Sequence, residues 1–120
     1  MCIRDRLGGA VARALAAEGA SVLGTARQSP AEAGAGIEWM RLDLSDRASV
    51  DALCDAVLAR SGVDILVNNS GGPPPSEAKD SRYEDWTTQF ATMAASLFHL
   101  TGRLLPPMLE RGWGLSLIHI

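Results

Sequence analysis

Residues 63–72 read VDILVNNSGG. Ile65, Leu66 and Val67 form a short, unbroken apolar run, the pattern of a strand buried on both faces in a parallel sheet. Asn68 and Asn69 end the run, and Ser70, Gly71 and Gly72 lead into Pro73, Pro74 and Pro75. Three consecutive prolines exclude both a helix and a strand ladder, so the chain must leave the sheet here as a loop. Ligands of open α/β sheets sit beyond the carboxyl ends of the strands. A polar, glycine-containing exit from an apolar strand is therefore where function is first to be sought.

Upstream, "SDRASVDALCDAVLARSG" (45–62) has a serine suited to cap a helix at Ser45, a core stripe at Val50, Leu53 and Val57, and Gly62 behind it. Before it, "IEWMRLDL" (37–44) reads as a strand with Ile37, Trp39 and, less regularly, Met40 and Leu42 as its apolar positions. "QSPAEAGAG" (28–36) is a surface loop or a broken short helix. "ASVLGTAR" (20–27) is a second buried strand, and "LGGAVARALAAEG" (7–19) a helix with Val11 and Leu15 on one face and Gly19 closing it. Downstream, Trp86, Phe90, Met93, Leu97, Leu100, Leu104 and Met108 recur at helical spacing between Tyr83 and Arg111. Pro106 and Pro107 should kink that helix or end its regular hydrogen bonding. Helices alternating with strands imply a parallel sheet covered on both faces.

Bulk properties narrow the classes. A chain of 120 residues holds one domain at most. A net charge of −3, with no Lys/Arg run, argues against nucleic acid as a partner. No apolar run approaches the roughly 18 residues of a membrane span, and no secretory pattern is present. Two cysteines, Cys2 and Cys54, are too few for a disulfide framework, which leaves a reducing, cytoplasmic setting as the default. His99 has no second ligand near it in sequence, so no metal site is expected. Cys54 lies in a core stripe and reads as a buried thiol. Ser76, Lys79 and Asp80 stand in a loop that could border a substrate, although loops are polar in any case.

Four segments together resemble the short-chain dehydrogenase/reductase family. "LGGAVARALAAEG" is similar to the family's first helix after its glycine-rich turn, and "RLDLSD" to the turn after its third strand. "DILVNNSGG" resembles the Asn-Asn-Ala-Gly motif that ends its fourth strand, with Ser70 in place of alanine. "EDWTTQF…LLPPMLERGWG" resembles its long helix and the following glycine turn. Each match alone is weak; four in order, at family spacing from Leu7 to Gly114, identify a member. The fold implied is a three-layer, Rossmann-like, doubly wound parallel α/β sheet. It is incomplete, because the family's central first strand and its C-terminal half are not matched. The second and fourth strands of the full fold would then border an open seam, and the isolated chain is expected to be unstable or aggregated.

The resemblance also implies a cofactor site. In such folds glycines let the backbone approach a pyrophosphate at a helix N-terminus. Gly8 matches the last glycine of the family's Thr-Gly-x-x-x-Gly-x-Gly pattern, the middle one falls on Arg6, and the first lies ahead of the matched segment. Arg27 follows the second strand, where an acidic residue would bind the adenosine ribose and a basic one a 2′-phosphate. A guanidinium there favours NADP over NAD through bidentate, charge-assisted bonds; otherwise it is a solvated strand-end arginine. Asp43 and the Leu44 backbone are implied beside the adenine, unless Asp43 merely caps the next helix. Asn68 is implied near a ribose, with Ser70 and Gly71 leaving room for it; strand-end capping by the asparagines is compatible with that role. Met93 departs from the pattern, because many members carry there an asparagine that positions a water in the proton relay. A thioether cannot relay a proton.

The family's reacting groups are a serine after the fifth strand and a Tyr-x-x-x-Lys pair, in which the lysine lowers the tyrosine pKa. The one tyrosine, Tyr83, is followed four residues later by Thr87, and the one lysine, Lys79, precedes it. No residue is assigned a catalytic role, and the chain alone is expected to be inactive. The parent protein reads as an NADP-dependent oxidoreductase of carbonyl or alcohol substrates, with a lean toward ketoacyl-reductase-like members. Family members commonly form tetramers or dimers, and a homo-oligomeric parent is expected. The alternative is a non-catalytic NADP-sensing protein, which Met93 weakly favours. A methyltransferase of similar architecture would want an acidic residue where Arg27 stands.

Both ends of the chain are unlike the fold they flank. MCIRDR (1–6) can be encoded by ATG-TGT-ATA-AGA-GAC-AG, whose reverse complement, CTG-TCT-CTT-ATA-CAC-AT, encodes Leu115 to His119 and then isoleucine or methionine. One short DNA in opposite orientations is the signature of a transposon end used in preparing sequencing libraries. Residues 1–6 and 115–120 are therefore expected to be adapter translation, flanking a partial NAD(P)-binding domain over 7–114.

Overall fold

The computed structural model describes residues 4–28 and 36–119. Of the loop QSPAEAGAG, only Gln28 and Gly36 fall among them, and Cys2 lies outside. The chain forms two compact units, Met1–Asp43 and Leu44–Ile120.

In the first unit, helix α1 (Arg4–Ala17) leads to strands β1 (Val22–Ala26) and β2 (Ile37–Arg41). The helix closes on Gly19, whose φ of 88° an L side chain would resist; the Ala20 N–H donates to the Leu15 carbonyl at 3.0 Å. β1 and β2 pair in parallel from Val22↔Ile37 to Ala26↔Arg41, and α1 packs on both. Gly24 stands opposite Trp39, and a Cβ at Gly24 would lie 2.6 Å from the indole ring. The ring thus occupies the space a side chain on β1 would need.

The second unit begins with helix α2 (Arg47–Leu58), strand β3 (Ile65–Asn69) and a short 3₁₀ turn at Ala78–Asp80. Helix α3 (Tyr83–Phe90), a π-turn at Ala91–Ala95, helix α4 (Ser96–Arg111) and strand β4 (Leu115–His119) follow. Its core is the α2–α4 contact, where Val50, Leu53, Cys54 and Val57 meet Leu97, Leu100, Leu104 and Met108, all buried. β3 and β4 pair in parallel from Ile65↔Leu115 to Asn69↔His119. The strands form two two-stranded sheets, β1–β2 and β3–β4.

Two sequence expectations need correction. The cap of α2 is Asp46, not Ser45: Asp46 is extended (φ −111°, ψ 107°) and its carboxylate accepts from the Ala48 N–H at 3.0 Å. The apolar stripe of the long helix does not run straight, because Trp86 and Phe90 are 63% and 67% exposed. The π-turn inserts one residue, which rotates the following turns by about 100° and leaves only the stripe from Leu97 onward in the core. The Ser96 hydroxyl bonds the Ala91 and Thr92 carbonyls at 2.7 and 2.9 Å, compensating for the changed backbone pattern. Apart from these corrections, Pro106 and Pro107 lie inside α4, which reaches Arg111 and closes on Gly112 at φ 67°. Burial of Leu104 and Met108 on either side of the prolines offsets the lost hydrogen bonds.

The end segments also take part in regular structure, since α1 starts at Arg4 and Leu115–His119 is β4. LSLIH has the composition of a strand, whatever DNA encodes it. Leu115, Leu117 and Ile118 are nevertheless 46%, 51% and 45% exposed.

Candidate cofactor-binding site

The exit of β3 holds a buried side chain, Asn68. Asn68 is 4% exposed, and its amide Nδ2 donates to Thr101 Oγ1 of α4 at 3.0 Å. An amide left unpaired at this depth would cost about 1–3 kcal/mol, so Thr101 fixes Asn68 as well as satisfying it. Two residues on, Ser70 is half-buried and its hydroxyl has no hydrogen-bond partner among the described residues. Gly71 is half-buried, and a Cβ at Gly72 would meet nothing within 4 Å. The strand therefore ends in small residues, with open space beside Gly72.

Leu44, also half-buried, helps wall a cavity of about 240 Å³. Ser45, Arg47 and Val50 line it with Leu44 on that side, and Ala91, Thr92, Ala95, Ser96 and His99 line the other. Met93 sits half-buried in the π-turn. Behind the cavity, α2 and α4 are joined by a charge network. Asp51 Oδ1 bonds His99 Nε2 at 2.6 Å and Arg103 at 2.9 Å, Arg47 approaches the other oxygen at 3.6 Å, and Arg103 also reaches Asp55 at 2.5 Å. The hydrogen bond to His99, reinforced by the nearby cations, holds the Asp51 carboxyl below the usual carboxylate range. Burial pushes the Cys54 thiol above its ordinary value, as befits packing rather than nucleophilic use.

In the first unit, Arg27 and Asp43 follow the carboxyl ends of β1 and β2. Because those strands are parallel and in register, with the Leu42 N–H bonding the Ala26 carbonyl at 2.9 Å, both residues leave by the same edge. Arg27 is exposed and Asp43 half-buried. Gly8 is half-buried in the second turn of α1. The structure thus places Gly8, Arg27 and Asp43 in one unit and Leu44, Asn68, Ser70 and Gly71 in the other.

Sequence reading missed Thr101 and the Asp51 network. Thr101 stands four residues from Leu97 and three from Leu104, a core-facing position where a hydroxyl requires a partner. His99 and Arg103 share one face at i,i+4, and Asp51 and Asp55 share another, so their opposite charges were a usable signal.

Parallel strands entered from helices, with polar exits at their carboxyl edges, define a Rossmann-like α/β protein. The sequence model described as short chain dehydrogenase matches residues 4–119, and the chain belongs to that family. It is 33% identical over 115 residues to 3-oxoacyl-[acyl-carrier-protein] reductase FabG of Escherichia coli strain K12, covering 90% of this chain and 47% of that protein. It is 34% identical over 118 residues to D-beta-hydroxybutyrate dehydrogenase of Cupriavidus necator, covering 90% and 46%. Among solved structures it resembles an actinorhodin polyketide ketoreductase with NADPH, at a TM-score of 0.74 and 31% identity over 88% of this chain and 45% of that one. The chain spans about half the length of the curated relatives it matches. Among the described residues, no helix is long and apolar enough to cross a membrane.

Proposed function

We propose that this chain is the dinucleotide-binding part of an NADP-dependent oxidoreductase that acts on a small carbonyl or alcohol substrate, of the kind that 3-oxoacyl reductases take. The observation that carries the reading is the exit of β3, where a fixed asparagine, a buried hydroxyl with no partner among the described residues and an open Gly72 meet at a carboxyl edge. These features fit a nucleotide: the glycines admit its bulk, and the hydroxyl calls for a polar partner. Arg27 would meet the 2′-phosphate, Asp43 and Leu44 the adenine, Asn68 a ribose, and Gly8, Ser70 and Gly71 would leave room for the cofactor. When bound, the nicotinamide supplies the hydride; the chain's own residues bind and orient it. A relative bearing the words 3-oxoacyl reductase and a similar structure solved with NADPH support the substrate class and the cofactor.

The reacting tyrosine and lysine are assigned to protein beyond this chain. Tyr83 is 81% exposed at the start of α3 and Lys79 is paired with Glu77 at 2.8 Å, so neither has a partner suited to that role. Met93, in place of a relay asparagine, favours the second reading of a protein that senses NADP without turnover. An oligomeric parent is supported by Trp86, Phe90, Phe98 and Leu109, large apolar residues exposed along the long helix. A reducing, cytoplasmic setting is supported by the free, buried Cys54.

We also propose that residues 1–6 and 115–120 are adapter translation, on the strength of their reverse-complementary coding. Sequencing the source DNA across both junctions tests this together with the function. A reading frame that supplies a glycine-rich turn upstream and Ser with Tyr-x-x-x-Lys downstream supports the reductase. That frame's product should bind NADPH more tightly than NADH and oxidise it in the presence of a 3-oxoacyl thioester. A frame without the Tyr-x-x-x-Lys pair leaves the sensing reading, and a product that binds neither nucleotide overturns both.

A further inference from the structure

The Ser96 side chain supplies the hydrogen bond that the π-turn takes from the backbone. The Ser96 N–H bonds the Ala91 carbonyl, five residues back, and so gives up the Thr92 carbonyl that it would serve in an α-helix. The Ser96 hydroxyl takes over that carbonyl at 2.9 Å and also reaches the Ala91 carbonyl at 2.7 Å. The turn it holds decides where the aromatic rings of α3 point. In an unbroken α-helix, at about 100° per residue, Trp86 and Phe90 would fall within about 20° of Leu97 and prolong the buried stripe. With one residue taken up by the π-turn, they fall instead within about 40° of Phe98, Leu105 and Leu109. All five are exposed, and none of the charged residues of α3 and α4 falls on that arc.

We propose that Ser96 is a positioning residue for self-association: by holding the π-turn, its hydroxyl turns Trp86 and Phe90 out of the core stripe and onto a ridge that a second copy of the protein covers. This deepens the oligomeric reading given above and rests on it. The pattern of the ridge selects a second copy as its occupant. With the residue taken up by the π-turn discounted, Trp86, Phe90, Phe98, Leu105 and Leu109 are spaced by four, seven, seven and four, which reads the same from either end. A two-fold axis at Phe98 therefore sets Trp86 against the partner's Leu109 and Phe90 against the partner's Leu105, the self-complementary contact of an isologous dimer. The five residues expose on the order of 500–600 Å². Pairing would bury on the order of 1,000–1,200 Å², enough for a specific interface.

Analytical ultracentrifugation of the product of the reading frame recovered across both junctions tests the assignment. In Ser96→Ala the subunit dissociation constant should rise by about 10- to 100-fold, and Ser96→Thr, which keeps the hydroxyl, should restore most of the association. Deleting Ala94 in the Ser96→Ala background removes the extra residue, so that a plain α-helix keeps Trp86 and Phe90 on the ridge. Association should then return to the unsubstituted value, a recovery that a role in stability alone does not predict. Deleting Ala94 with Ser96 in place should leave association unchanged, which reads the register even where Ser96→Ala fails to fold. Equal dissociation constants for the unsubstituted protein and Ser96→Ala overturn the proposal, and so does an Ala94 deletion that is monomeric or unfolded with Ser96 in place. An unsubstituted protein that is itself monomeric removes the oligomeric reading, and this role of Ser96 with it.

Discussion

Gly24→Ala should loosen the β1–β2 sheet through one identifiable clash. The added Cβ would lie 2.6, 2.7 and 2.9 Å from three ring carbons of Trp39, against about 3.4 Å for ordinary contact. The indole is rigid, so it must leave its rotamer, at about 0.5–1.5 kcal/mol, or the paired strands must part. Overpacking of this kind costs about 1–3 kcal/mol. Against it stands the gain of about 0.4–1 kcal/mol from restricting the unfolded chain. The net loss should be about 0.5–2 kcal/mol, read as a lower urea midpoint at unchanged slope. Trp39→Leu supplies the control: it destabilises alone, but in its presence Gly24→Ala should become neutral or stabilising. The two substitutions would then be non-additive by about 1 kcal/mol or more. If Gly24→Ala costs the same with and without the indole, the ring is not the obstacle and the reasoning is wrong. Since Arg27 and Asp43 leave this sheet by one edge, the same substitution should also weaken NADPH binding wherever it lowers stability.

The cap and the charge network give two further tests. Asp46→Ala should cost about 0.5–2 kcal/mol in a denaturant titration, because its carboxylate accepts the Ala48 N–H at the start of α2. The Asp51 carboxyl is held below its unfolded value, first by the His99 hydrogen bond and then by the surrounding cations. Its contribution is therefore complete above the unfolded pKa and lost as pH falls through the lower folded one. The melting temperature should drop on acidification below about pH 4, and Asp51→Asn should flatten that drop; equal slopes in both proteins would show that Asp51 does not carry it.

The elements were legible where one signal dominated. Ile65–Val67 and Val22–Leu23 are apolar runs too short for helices, and both became strands. Val50, Leu53 and Val57 kept a single helical phase and all are buried. Sequence reading failed where a local choice was nearly degenerate or the phase changed. Ser45 and Asp46 are both good caps, and only the extended backbone at Asp46 decides between them. Trp86 and Phe90 follow the same spacing as Leu97 and Leu100, but the π-turn between them sends the first pair to solvent. Periodicity cannot register one inserted residue when its own scatter alternates between three and four. Pro106 and Pro107 carry a real penalty, yet the packed residues around them outweigh it.

The candidate site was legible for a topological reason. In a parallel sheet every strand runs the same way, so the residue after each apolar run leaves by the same edge of its sheet. Arg27, Asp43 and Asn68 were singled out by the family resemblance, and the rule explains why each lies at a carboxyl edge of its own sheet. What such a rule cannot see is a partner more than 30 residues away, such as Thr101 for Asn68 or Asp51 for His99. Those pairings depend on how two helix faces meet, and each face looks bland until the other is in place. Nor can the rule see that Ser70, small enough to pass for the family's alanine, buries an oxygen with no partner among the described residues. The carboxyl edge thus marks where a ligand is to be sought, whereas the contacts behind it decide which side chains, such as Asn68, are held in place.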